Sequence, residues 1–213
     1  MTWLRAVKST NKHLQVIDLR GSSLEPNYAK GAGALVGGLL YNSSVHALQL
    51  DATLLGKEDV KELLPGLESV SATLKFLSLD GIRLNSSSLA DLLSLNGENW
   101  VFVKLGNNNF SPDDGAVIAN FFEKSTSLKH LSLTASGLGS RGCVAVVKGL
   151  ARATALNELD LRNIGLRDGE CYEALAEFLP KSRLQTLWIT QSDYDTWSPQ
   201  NQAAAEPGRR ALL

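Results

Sequence analysis

Few residues in this chain have side chains suited to catalysis or metal binding, so each can be followed singly. Cys143 and Cys171 stand 28 residues apart. A dyad or a disulfide would require their Cα atoms within ~7 Å, whereas neighbouring helices pack with axes roughly 8–10 Å apart. The spacing therefore predicts two buried, unpaired structural thiols. His13, His46 and His130 lie too far apart in the sequence pattern to share a metal ion, and no Cys/His spacing suggests zinc. They read as solvated surface side chains. Gly31-Ala32-Gly33 and Gly37-Gly38 lack the Lys-Ser/Thr ending of a phosphate loop, and no nucleophile elbow or metalloprotease motif occurs. Asp113-Asp114 reads as helix-start electrostatics. No cofactor is implied, and nothing points to catalysis.

Composition narrows the partners. The 213 residues are 44% hydrophobic and 20% charged, with a formal net charge of -1. That balance exerts no long-range pull on nucleic acid or on an anionic membrane. No apolar run approaches the ~18–20 residues of a membrane span, and residues 1–8 do not resemble a secretory signal. Two cysteines are too few for a disulfide-built secreted domain. The expected location is the cytoplasm, with the nucleus as the alternative. Asn42-Ser43-Ser44 and Asn85-Ser86-Ser87 fit the glycosylation tripeptide, a motif frequent by chance.

What would position any functional side chain is a repeat. Leu156, Leu159, Leu161, Ile164 and Leu166 occupy relative positions 1, 4, 6, 9 and 11 of one unit. The frame returns from first positions Leu14, Val45, Leu74, Trp100, Leu128 and Leu184, with steps of 31, 29, 26, 28, 28 and 28 residues. Positions 3, 5 and 7 alternate with buried 4 and 6, as a short strand requires. The second half of each unit is an amphipathic helix, as in Val60, Leu63, Leu64 and Leu67, or Ile118, Phe121 and Phe122. Asp59 and Asp114 sit near helix starts, where carboxylates suit free N–H groups. A single unit cannot bury its own apolar face, so the units must stack. Strands ~4.8 Å apart and helices at about twice that spacing place strands on a concave side and helices outside.

These repeats resemble the ribonuclease-inhibitor-like class of leucine-rich repeats, over Leu14 to Ile189. The resemblance implies an α/β, right-handed solenoid: a horseshoe with a parallel sheet on its concave face and helices on its convex face. That class includes inhibitors, GTPase activators for Ran, innate-immune sensors and cytoskeletal regulators, so it implies no single function. This chain departs from the inhibitor in being poor in cysteine, and from the immune sensors in having no phosphate loop. Position 9, which often holds Asn or Cys in the class, is Ser22, Thr53, Ile82, Asn108, Ser136 and Ile164. Of these, Asn108 is the one expected to bridge to neighbouring backbone.

Residues 1–13 read as an N-terminal helical cap or partial repeat, residues 14–191 as six full units and a partial seventh, and residues 192–213 as a loose tail. Trp197 is placed to fold over the last strand, whose alternative fate is an open edge that pairs two copies. A monomer is otherwise expected. Three extra residues around Glu25 to Lys30 read as repeat drift or as a rim insertion.

The concave positions carry the binding expectation. Position 3 runs Val16, Ala47, Phe76, Phe102, His130, Glu158, Thr186; position 5 runs Asp18, Gln49, Ser78, Lys104, Ser132, Asp160, Trp188. Position 7 runs Arg20, Asp51, Asp80, Gly106, Thr134, Arg162, Thr190. Phe76 and Phe102 thus become neighbours on a face that should meet water, and aromatics flanked by charge are common interface anchors. The alternative is a register one residue off, which would turn them inward. The candidate binding residues are Phe76, Phe102, Lys104, Asp80, Asp51, His130, Asp160, Arg162 and Trp188, with a protein or peptide as partner. Two other functions fit the resemblance: a GTPase activator using Arg20, Arg162 or Lys30, or a recognition segment of a cytoskeletal, ciliary or effector assembly.

Overall fold

A computed structural model describes residues 13–22, 42–53, 59–95 and 97–190, together with positions 35, 38 and 39. The cap at 1–13 (His13 apart), the insertion at 25–30, the tail at 192–213 and Gly31-Ala32-Gly33 lie outside the described residues.

Seven three-residue strands form one parallel sheet in chain order. They are β1 (Val16–Asp18), β2 (Ala47–Gln49), β3 (Phe76–Ser78), β4 (Phe102–Lys104), β5 (His130–Ser132), β6 (Glu158–Asp160) and β7 (Thr186–Trp188). Among the described residues, five complete helices cover the other face: α1 (Asp59–Ser69), α2 (Ser86–Ser94), α3 (Asp114–Lys124), α4 (Gly139–Gly149) and α5 (Glu170–Phe178). The pairing runs Val16↔Ala47↔Phe76↔Phe102↔His130↔Glu158↔Thr186 without a slip. That row is the position-3 row of the repeat, and the position-4 residues beside it are the buried ones, so the off-by-one register is excluded.

The period of 2 in each strand divides the two faces. Ile17, Leu48, Leu77, Val103, Leu131 and Leu159 point between sheet and helices and are 0–3% exposed. They join one continuous core with Leu63, Leu89, Ile118, Phe122, Val146 and Leu175 from the helices. Leu187 of β7 is only partly buried, as expected for the last strand described.

Helix starts are satisfied locally, as the free N–H groups demand. Asn85 caps α2 by accepting from the Ser88 N–H at 2.9 Å. Asp114, buried at the start of α3, accepts from the Ser111 N–H and hydroxyl at 2.7 and 2.9 Å and from the Ser86 hydroxyl of the preceding unit at 2.7 Å. The other glycosylation-like residue, Asn42, is 5% exposed and accepts from the backbone of Ser44 and Val45.

The cysteine expectation is corrected. Cys143 and Cys171 are buried, but their Cα atoms are 5.6 Å apart and they are joined as a disulfide. The 8–10 Å figure describes helix axes. Both cysteines lie on the inner faces of α4 and α5, nearer the strands, where the spacing between units has barely widened from ~4.8 Å. Close approach is tightest one unit earlier: a Cβ on Gly115 would lie 2.4 Å from the Gly142 carbonyl oxygen.

Position 8 shows a rule that side-chain patterns do not. Gly21, Ala52, Gly81, Asn107, Ala135 and Asn163 all have φ between 52° and 67°, where the chain leaves its strand. Alanine pays a steric penalty there that glycine avoids and asparagine reduces. Ala135→Gly is therefore expected to stabilise the protein by about 0.5–1 kcal/mol, read as a higher denaturant midpoint at unchanged slope. An equal or lower midpoint would show that the turn is relaxed with alanine.

A candidate protein-binding face

The open face of the sheet carries a row of stacked rings. Phe76 and Phe102 lie 4.4 Å apart between centroids and 6° from parallel, and Phe102 and His130 lie 4.0 Å apart at 6°. Register enforces this. The three residues are direct partners on β3, β4 and β5, and strands ~4.8 Å apart bring rings standing off the sheet close to stacking distance. Trp188 of β7 closes the row, 6.1 Å from His130 and tilted by 55°.

Stacking changes what each ring offers. Phe76 and Phe102 are half-buried against each other, whereas Trp188, at 36%, and Val16, at 47%, are the exposed large hydrophobics among the described residues. His130 is not the solvated surface side chain expected: only 15% of its side chain is exposed, and its Nδ1 lies 2.9 Å from Glu158 Oε2. The periodicity placed it on the right face, but a ring between two aromatic positions is shielded by them.

Charges surround the row. Lys104 Nζ sits 5.6 Å from the Phe102 centroid, within range of a cation–π attraction. Asp51 Oδ1 accepts from the Ser78 hydroxyl and the Asp80 N–H, and Asp80 Oδ1 accepts from the Gly106 N–H at 2.6 Å. Burial pushes the Asp80 carboxyl above its ordinary range, against the opposing Gly106 hydrogen bond, and the Asp51 charge adds to the rise. At β6 the balance is reversed. Burial also raises Asp160, but hydrogen bonds from the Arg162 side chain and backbone, and from Thr134, outweigh it and hold the carboxyl low.

Arg162 donates a fork to Asp160, Nε to Oδ1 at 2.9 Å and Nη2 to Oδ2 at 2.5 Å. Arg20 does the same to Asp18 at 2.9 and 2.7 Å. Both arginines considered for GTPase activation are thus tied to a carboxylate two residues earlier; Lys30 lies outside the described residues.

Seven of the nine candidates, Asp80, Phe102, Lys104, His130, Asp160, Arg162 and Trp188, line one open hollow of about 310 Å³. Phe76 adjoins it through the ring stack, and Asp51 through its bond to the Asp80 backbone. Sequence reasoning left Ser132, Thr134 and Asn107, which also line it, off the candidate set. Their small polar side chains carry no signal beyond position. No group of three or more His, Cys, Asp or Glu residues is arranged to hold a metal ion among the described residues, and no helix there is long and apolar enough to cross a membrane.

Sheet, register and repeat together decide the architecture. The fold is an α/β leucine-rich-repeat solenoid like that of ribonuclease inhibitor. Among curated proteins, the chain is similar to the ribonuclease inhibitor of Sus scrofa, 28% identical over 194 residues, and to that of Mus musculus, 25% identical over 194 residues. Each match covers 89% of this chain but 42% of the relative, so the chain spans about two fifths of the length of these relatives. No family model matches. A solved structure of the leiomodin-1 actin-binding site 2 (ABS2) aligns with 98% of this chain and 92% of its own, at 12% identity and a TM-score of 0.49, too distant to bear on function.

Proposed function

We propose that this solenoid is a non-enzymatic protein-binding scaffold that grips a protein or peptide on its sheet face. The observation that carries the reading is the ring row Phe76–Phe102–His130, completed by Trp188 and bordered by Lys104, Asp80, Asp160 and Arg162. The face exposes aromatic edges and a large indole beside fixed ion pairs, a mixture typical of interface anchors. The relatives it resembles are named as inhibitors of ribonuclease, a task performed by binding another protein. Tethering of Arg20 and Arg162 favours this over GTPase activation, which would call for an arginine free to reach a nucleotide.

The test uses whatever protein the immobilised chain captures from its native source. Phe102→Ala combined with Trp188→Ala should weaken that complex by at least about 30-fold, the ~2 kcal/mol expected of hot-spot residues. Circular dichroism should show an intact fold. An affinity within twofold of wild type would overturn the proposed site.

A further inference from the structure

We propose that the sheet face holds, beside the ring row, a slot for one arginine of the protein partner, walled by Phe76 and Val16 and floored by Ala47; this deepens the scaffold reading and rests on it. Phe76 spends one ring face on Phe102. Its other face looks toward β2, where its register partner is Ala47, whose side chain is a single methyl. Beyond Ala47 stands its own partner Val16, 47% exposed. The row of side chains is therefore continuous from Phe76 to His130 and interrupted at one strand.

Spacing sets what fits. Val16 and Phe76 are two strands apart, about 10 Å. A flat group needs about 3.5–4 Å to the wall on each side, so one planar group fills the gap and two do not. Ala47 is 9% exposed, a floor rather than a competing side chain.

Charge selects among planar groups. On β1 the Asp18 charge is answered by Arg20. Asp51 and Asp80 take part in no ion pair among the described residues; their recorded hydrogen bonds, from Ser78, Asp80 N–H and Gly106, use Oδ1 alone. Lys104, one strand beyond Asp80, and Arg20, whose guanidinium also feels the Asp51 charge, are the facing cations. Set against these two cations, the carboxylates Asp18, Asp51 and Asp80 leave one net negative charge and bias this end of the face toward a cation. They lie along the strand ends rather than in the slot, so they act through the field, while half-buried Gln49, two residues beyond Ala47 on the same face, supplies the nearer acceptor. A guanidinium is the side chain that is at once flat, cationic and attracted to an open ring face. Lysine lacks the plane, and phenylalanine lacks the charge.

The slot can be tested without the natural partner. The chain carrying ¹³C-methyl alanine and valine is titrated with Ac-Gly-Arg-Gly-NH2, and with the Lys and Phe analogues. The arginine peptide is expected to shift the Ala47 and Val16 methyl signals saturably in the millimolar range, at least about threefold more tightly than either analogue. Ala47→Leu, which fills the gap, should abolish the response while leaving distant methyl signals in place. Phe76→Leu, which keeps a wall but removes the ring face, should weaken it, as should Asp51→Asn by about twofold through loss of field. No saturable shift, equal response to lysine, tighter binding of phenylalanine, or a response surviving Ala47→Leu would each overturn the proposal. A silent slot alongside a weakened Phe102/Trp188 variant sinks the slot alone; a silent slot with partner affinity unchanged sinks the scaffold reading as well.

Discussion

Trp100→Ala is expected to destabilise the protein by about 3–5 kcal/mol, the range for removing a fully buried aromatic. Trp100 occupies position 1 of the fourth unit, where the other units carry leucine or valine. It is 0% exposed and packs against Phe121, with centroids 5.9 Å apart and planes 50° apart. It follows the shortest unit, 26 residues from Leu74. Gly97 packs directly on the ring: a Cβ there would lie 2.9 Å from Trp100 Cε3. Its Nε1 has no hydrogen-bond partner among the described residues, so Trp100→Phe loses volume without losing a bond and should cost less than half as much. Chemical denaturation followed by circular dichroism measures both. A loss below about 1 kcal/mol for the alanine variant would mean that the central units repack freely.

Asn108→Ala comes next, at about 2–4 kcal/mol, because it strands several buried polar groups at once. Asn108 is 3% exposed. Its Nδ2 donates to the carbonyls of Leu105, Leu79 and Gly106 at 2.9, 3.0 and 3.1 Å, and its Oδ1 accepts from the Leu84 N–H at 3.0 Å. One amide thereby ties the turn after β4 to the preceding unit. Asn108→Asp is the sharper comparison at neutral pH, since a carboxylate can still accept from Leu84 but faces three carbonyl oxygens it cannot satisfy. It should be no more stable than the alanine variant. Full stability in either would remove the bridge from the account.

The expectation that Asn108 bridges to neighbouring backbone is met, while Thr53 adds a bridge that its residue type did not advertise: its hydroxyl donates to the Leu19 carbonyl at 3.0 Å. Where position 9 is Ser136 or Ile164, backbone takes over, with the Phe110 and Gly139 N–H groups donating to the carbonyls of Ser136 and Ile164 at 2.8 and 2.7 Å. An incomplete Asn ladder is therefore tolerated because the main chain supplies acceptors, and main-chain partners leave no mark on residue identity.

The same distinction separates what was legible from what was not. The strands and their register follow from alternation of positions 3 to 7, because a slip of one residue would expose every leucine of the core. That placed Phe76, Phe102 and His130 side by side. It could not place their ring planes, so the shielding of His130 went unseen. Nor could it show that Cys143 and Cys171 approach to 5.6 Å, since a packing distance between axes is a poor guide to residues on the inner faces. Arg20 and Arg162 read as available cations, and the carboxylates two residues before them decide otherwise.

The measurement that bears most directly on the account is hydroxyl-radical footprinting of the chain, alone and with the protein it captures. Bound partner should protect Trp188, Phe102 and Phe76 strongly while leaving half-buried side chains of the helical face, such as Val117 and Phe178, oxidised as before. Protection of Val117 and Phe178 with Trp188 and Phe102 unchanged would place the partner on the helices and contradict the assignment of the sheet as the binding face.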